Sequence, residues 1–265
     1  PREGGSMLEL DYAPGSLNLI NTLARRPEAY HRKISGIEST GPKKVENGVA
    51  SIHDLLAAKD KDLKRLLNYD RHMKSCLIDH FLAPEANFED FSRAAFAEAG
   101  DFVGARYKCI FNKEAGETSV FLQRAGAARG RAKRFPVKLE KTIKMKPGSP
   151  ALNLSYSVKN ASVEEADLWF GAEFNLSLRD PEFREAGELL GANSVELRDE
   201  WTKTLVKYSL GKDAGVWFYP VETVSESETG LEKTYQELCI LFHWRLTLRP
   251  QEVWSIDMTM EVRQE

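Results

Sequence analysis

The sequence predicts a mainly β fold, a large antiparallel two-sheet sandwich with helical segments at its N-terminal side. From Phe102 to the end, apolar and polar residues alternate with period two over long runs, as strands with one buried face require. No helix-length pattern intervenes between most of these runs, which excludes alternating strands and crossover helices. Before Phe102, most apolar residues recur instead at helical spacing.

The elements follow in order. Pro1 to Ser6 holds no core-forming residue and precedes Met7, so it reads as a cloning remnant outside the fold. Leu8 to Tyr12 alternates apolar and acidic residues like a half-buried strand. Leu17, Leu19, Ile20 and Leu23 suggest a short helix ended before Pro27, which itself opens a helical segment to Ile34. Residues 36–50 form a surface loop. Ser51 and Asp54 have capping-box spacing and start a helix to about Leu67. Asn87 precedes Phe88, Phe91, Ala95 and Phe96, whose spacing sets three rings along one helical face. Residues 7–101 thus pack, as a strand and helical segments, on a sandwich formed by residues 102–265, the two together making one domain.

Within the sandwich, Phe135, Val137, Leu139, Ile143 and Met145 share one strand face, and Lys141 spoils the row. Leu152 to Val158, Leu168 to Leu178, Leu238 to Leu246 and Trp254 to Val262 repeat the alternation. Arg249-Pro250-Gln251 joins the last two runs, a length suited to an antiparallel hairpin. Asp180 to Gly191 is the exception and reads as a short helix.

Composition narrows the function. Lys and Arg number 37 against 40 Asp and Glu, a net charge of -3, which lacks the footprint of a nucleic-acid partner. No apolar stretch is long enough for a membrane-spanning helix. Cys76, Cys109 and Cys239 are odd in number and widely spaced, so they suggest neither a disulfide framework nor a metal clip and fit a reducing cytoplasm. The basic run Arg124 to Lys146 reads as a solvated hairpin facing the acidic residues Glu222, Glu226, Glu228 and Glu232.

No nucleophile elbow, phosphate loop or paired-cysteine motif is present, and no metal or cofactor is assigned. His53-Asp54 and Asp79-His80 pair a carboxylate with an imidazole, as acid-base chemistry or metal ligation would; structural hydrogen bonding is the simpler reading. His72 flanks the same cluster. His243 has solvent-side parity and receives no role. Trp169 lies opposite the apolar row of its strand, with Glu173 and Asn175. That is the composition of a sugar platform, in which the ring stacks on a pyranose while amide and carboxylate bond its hydroxyls. Packing beneath the N-terminal segments, against the phenylalanine stripe, is the favoured reading of Trp169 over that platform. Val216 to Val221, with Trp217 and Tyr219, is apolar at both parities and reads as a strand buried on two sides.

Several short motifs occur in sequence: Asn18-Leu19, Leu23 to His31, Ser51 to Asp54, Tyr69-Asp70, Ile78 to Leu82, and Asp101 to Gly104. Together they resemble the C-terminal domain of the family 57 α-amylases and 4-α-glucanotransferases, over nearly the whole chain from Leu8. The resemblance implies a galactose-mutarotase-like supersandwich. It also implies that the catalytic carboxylates belong to an N-terminal barrel outside this chain, so no catalytic residue is carried over.

The expected function is therefore a non-catalytic module of an α-1,4-glucan-processing enzyme. It supports the barrel and holds α-glucan or maltooligosaccharide through Trp169, Glu173, Asn175, Trp217 and Tyr219. His53, Asp54, Asp79 and His80 are expected to dock the barrel. The alternative is a stand-alone enzyme of the aldose-epimerase type, which needs a His and a Glu converging on one face, with His80 and Glu173 as the pair.

Overall fold

A computed structural model describes residues 3–32, 62–114, 116–131, 133–228 and 230–265. Strands β1 (Asp11–Tyr12) and β2 (Leu17–Asn18) make a small hairpin around a 3-10 turn that holds Pro14. The remaining strands among the described residues form one antiparallel ten-stranded sheet. They are β3 (Ile78–Phe81), β4 (Lys108–Glu114), β5 (Glu117–Arg129), β6 (Arg134–Met145), β7 (Ala151–Asn160), β8 (Ala166–Leu176), β9 (Gly187–Asp199), β10 (Thr204–Ser227), β11 (Gly230–Leu248) and β12 (Val253–Gln264). Their order is β3-β8-β11-β10-β12-β7-β6-β5-β4, with β9 added along β10.

The 24-residue strand β10 turns this sheet into a sandwich. Its first part, Thr204 to Leu210, pairs with β12, and its second, Gly215 to Ser227, pairs with β11. The register to β9 shifts between them, after Ser209, where an irregularity bends the strand. One layer therefore holds β3, β8, β11 and the second part of β10, while the first part continues into β12, β7, β6, β5 and β4. Their inner faces meet through Tyr156 against Phe170 at 5.5 Å, Phe174 against Tyr208 at 5.1 Å and Phe170 against Trp254 at 6.0 Å. Phe170, Phe174 and Phe242 are fully buried. Each such ring contributes about 1.5–3 kcal/mol by leaving water.

The alternating runs lie in strands with the expected inward rows, but three connections differ. Strands β11 and β12 do not form a hairpin: β11 pairs with β8 and β10, and β12 with β10 and β7. With both edges of each strand already paired, Arg249-Pro250-Gln251 crosses between layers as an arch. The expected helix over Asp180 to Gly191 is absent, since Gly187 onward pairs with β10. The basic hairpin does not face Glu222 to Glu232. Its cations pair with nearer acids, Arg129 with Glu85, Arg124 and Arg134 with Asp101, and Lys133 with Glu164.

Among the described residues, the N-terminal part is largely a strap of irregular backbone. Helix α1 (Phe88–Ser92) is capped by the Asn87 side chain, which accepts from the Asp90 N–H at 2.9 Å. A helical turn spans 62–65. The helix expected at Leu17 to Leu23 is replaced by extended backbone, because its groups bond elsewhere: Leu19 N–H to Leu10, and Ser177 N–H to Leu19. Residues 27–30 are likewise not helical, while Lys33 to Ile34, the 36–50 loop and the capping box at Ser51 lie outside the described residues. Glu3 to Ser6, set aside above as outside the fold, take a place in it. Glu3 bridges to Arg106, Gly4 donates to the Ala105 carbonyl at 2.6 Å, and buried Gly5 packs on Tyr107, where a Cβ would come within 3.0 Å of the ring.

Candidate functional site

Strand alternation sends Trp169, Gly171, Glu173 and Asn175 to the outer face of β8, which the strap covers. At the centre Glu173 is fully buried. Its Oε1 accepts from Lys74 Nζ at 3.0 Å and Asn175 Nδ2 at 2.7 Å. Its Oε2 lies 2.9 Å from His80 Nε2 and 3.5 Å from His72 Nε2. His80 Nδ1 is 2.6 Å from Glu98 Oε2. Lys74 continues the chain toward Asp70, 3.7 Å away, and donates to the Tyr219 hydroxyl at 3.3 Å. Arg25 then holds Asp70 through two guanidinium bonds of 3.0 and 2.8 Å.

The result is a line of alternating charge, Glu98, His80, Glu173, Lys74, Asp70 and Arg25, beneath the strap. Burial opposes each charge, and the neighbours outweigh it at His80, Glu173, Lys74 and Asp70. For His80, the charge of Glu98 and the bonds to Glu173 and Glu98 raise the imidazole to about 9. Lys74 and the imidazoles hold Glu173 well below the carboxylate range. Lys74 is raised well above its ordinary value, chiefly by Glu173. Glu237, accepting from Leu23 N–H at 2.7 Å, is instead pushed up to about 7 by burial.

The family model described as Alpha-amylase/4-alpha-glucanotransferase, C-terminal, matches residues 1–258. This chain belongs to that family. A 4-alpha-glucanotransferase of Thermococcus kodakarensis is 33% identical over 230 residues, 87% of this chain and 32% of the relative. An alpha-amylase of Pyrococcus abyssi is 28% identical over 236 residues, 89% of this chain and 33% of the relative. The chain thus spans about a third of the length of the curated relatives it matches. The crystal structure of 4-alpha-glucanotransferase from Thermococcus litoralis superposes with a TM-score of 0.76 at 24% identity, covering 100% of this chain and 35% of that one. A galactose mutarotase-like protein from Clostridium acetobutylicum gives 0.54 at 12% identity over 100% of this chain and 91% of its own. These likenesses establish the mutarotase-like sandwich for this amylase/glucanotransferase C-terminal domain.

In this family member the predicted site residues occupy different places. His80 and Glu173 do meet, but both are 0% exposed, and the rings of Phe91 and Phe96 close over His80 at 5.8 and 5.6 Å. Among the described residues, the pair is thus covered rather than open to solvent. Glu173 accepts from Lys74, Asn175 and His80, Asn175 Nδ2 also donates to the Ser75 carbonyl, and both residues are fully buried, so neither is open to sugar hydroxyls. Trp169, Trp217 and Tyr219 form an apolar cluster with Phe91, Phe96 and Leu241. This face is therefore a covered interface and not an open platform, with Trp169 packed under the strap. Trp169 still borders a cavity of about 190 Å³, lined also by Arg129, Arg131, Asp167, Arg245 and Thr247. The Arg245 guanidinium stacks 3.7 Å over its ring.

Asp79 and His80 cannot dock a partner, being buried on β3. Asp79 points the other way, into the core, where Lys141 Nζ at 2.7 Å and the Tyr107 hydroxyl at 2.6 Å bond it. His53 and Asp54 lie outside the described residues. His243, given no role from its parity, is clamped between the rings of Trp169 and Trp217 at 5.4 and 4.7 Å. Parity places it on the outer face, and the strap makes that face an interior. Lys74, Glu98 and Arg25 went unassigned in the sequence; their signal was a polar residue on a covered face, invisible until the cover is known. For Asp79 a signal existed, the lysine that interrupts the inward row of β6.

Proposed function

We propose that this chain is the non-catalytic C-terminal β-sandwich module of an α-1,4-glucan-processing enzyme of the 4-α-glucanotransferase or α-amylase type. It supports the N-terminal catalytic barrel and holds α-glucan or maltooligosaccharide near it. The burial of the His80–Glu173 pair supports this reading most directly, because the acid-base couple that an epimerase would need is buried and already bonded to itself and to Glu98. The charge line acts as a strut that fixes the strap on the sheet. On that strap Leu23 and Met73 are 63% and 61% exposed, and Tyr69 lies beside them. These segments run together, since Thr22 bonds the Lys74 carbonyl and Asp70 N–H bonds the Arg25 carbonyl. They offer the barrel an apolar contact in place of Asp79 and His80.

Glucan is held at the cavity beside Trp169, where Arg245, Asp167 and Thr247 supply polar groups, and the benefit is local concentration rather than chemistry. Among the described residues no helix is long and apolar enough to cross a membrane. Free Cys76, Cys109 and Cys239 suit the reducing cytoplasm.

The test combines three assays of the purified chain. With maltoheptaose it should show no hydrolysis or transfer, and with glucose no catalysed mutarotation. Tryptophan fluorescence should saturate with maltoheptaose and lose that response in Arg245→Ala. Addition of a separately expressed barrel should give a complex weakened by Leu23→Asp with Met73→Asp. Catalysed mutarotation would restore the epimerase reading, and an unaltered titration in Arg245→Ala would remove the cavity as the glucan site.

A further inference from the structure

We propose that His72, His80 and Glu173 bind one zinc ion that locks the N-terminal strap to the sheet. The three groups come from separate segments: the strap before β3, β3 itself, and the outer row of β8. Their donor atoms lie within 4.8 Å of one another. Tetrahedral zinc with bonds of about 2.0–2.1 Å sets its ligands roughly 3.3 Å apart. Here Glu173 Oε2 stands 2.9 Å from His80 Nε2 and 3.5 Å from His72 Nε2, on either side of that spacing, while the wider span between the imidazoles, within 4.8 Å, contracts as His72 moves onto the ion.

Two further observations point to an ion. His72 Nε2 is buried at the atom, makes no hydrogen bond, and faces the Glu173 oxygen. An imidazole nitrogen buried without a hydrogen bond is left unsatisfied, and a metal bond would satisfy it. His80 already has the outer partner that a metal-binding histidine requires. Glu98 lies 2.6 Å from its Nδ1 and keeps a proton there, so Nε2 is the nitrogen that gives up its proton to bind the ion.

Glu173 divides its oxygens in the same sense. Oε1 serves Lys74 and Asn175, while Oε2 turns to the two imidazoles. The Lys74 ammonium is the adverse charge, and Asp70, at 3.7 Å, offsets it from the far side. Two imidazoles and one carboxylate suit a borderline cation such as Zn²⁺ better than the oxygen-seeking Ca²⁺ or Mg²⁺. The His72 side chain, 17% exposed and on irregular backbone, provides the entry route and the adjustment needed. On binding, the Nε2 proton of His80 leaves to solvent and a water completes the fourth position.

The purified chain, stripped with chelator, should take up one zinc per chain by calorimetry and elemental analysis. Its melting temperature should rise on loading, and cobalt in its place should show the visible bands of four-coordination. His72→Ala is the decisive variant, because His72 meets Glu173 only at 3.5 Å and His80 only ring to ring at 5.4 Å, with no hydrogen bond to lose. It should fold and melt like the stripped wild type, yet lose the zinc. Glu98→Gln, which keeps an acceptor for the Phe81 and Gly100 N–H groups, should bind about 10- to 100-fold more weakly. Failure of the stripped chain to take up zinc overturns the proposal. Full uptake by His72→Ala overturns it equally, by placing the metal elsewhere.

Discussion

Trp169 donates its indole N–H to Nδ1 of His243 at 3.0 Å, so this imidazole is neutral and carries its proton on Nε2. Burial, with the charge of Arg245, holds its value down to about 4.

A pH dependence follows from that bond. An unfolded histidine titrates near 6.5, so between about 4 and 6.5 the unfolded chain binds the extra proton. His243 therefore contributes stability that is full above this window and declines as pH falls through it, by up to about 1.4 kcal/mol per unit. Urea unfolding of His243→Phe should show a correspondingly shallower loss on acidification than wild type. Glu237 acts in the opposite sense, because its raised value makes the folded state the better proton binder between the ordinary 4.5 and about 7. It is common to both proteins, so the difference between them isolates His243.

Gly215 lies opposite His243 on β10, and a Cβ there would come within 2.2 Å of the imidazole Cε1. The ring cannot swing aside between Trp169 and Trp217. Gly215→Ala should destabilise by about 1–3 kcal/mol, and adding His243→Ala should recover part of it. Thermal unfolding of the single and double variants reads the effect. Equal losses in the two would show that the ring is not the obstacle.

Asp79 and Lys141 form a buried ion pair in the core, with Lys141 also bonding the Leu77 carbonyl at 2.6 Å. Burial pushes the carboxyl up and the amine down, more than their partnership restores. Lys141→Met strands the carboxylate and should cost about 3–5 kcal/mol. Lys141→Met with Asp79→Leu should regain most of that loss, since an apolar pair avoids the desolvation penalty. Denaturant midpoints of the three proteins form the check.

Asn160 staples two inter-layer arches. Its Nδ2 donates to the carbonyls of Glu164, Leu248 and Arg249 at 2.7, 2.9 and 3.1 Å, and its Oδ1 accepts from Ser162. Asn160→Ala leaves these groups wanting partners and should cost about 2–3 kcal/mol. Hydrogen exchange should quicken at residues 161–165 and 249–252 together; acceleration of only one arch would show that the side chain does not couple them.

Alternation along β6, β7, β8, β11 and β12 was enough to say which residues enter the core, because a pleated backbone sends neighbours to opposite faces whatever they pair with. The place of Trp169 opposite the apolar row, the Asn87 cap and the Lys141 exception were legible for the same local reason. Parity does not name the neighbouring strand, and that limit explains the misread hairpin. β11 and β12 are adjacent in sequence, yet the change of partner along β10 sends them to different layers. The candidate site lay beyond sequence for a related cause. Whether Glu173 or His243 faces water depends on a strap whose backbone bonds to distant segments, and its helical spacing yields to those bonds. Sequence alone determined the strands and their inward faces, since both arise within a few residues. The tertiary structure decided which strands meet and which outer face is covered, because those outcomes depend on contacts between residues far apart in the chain.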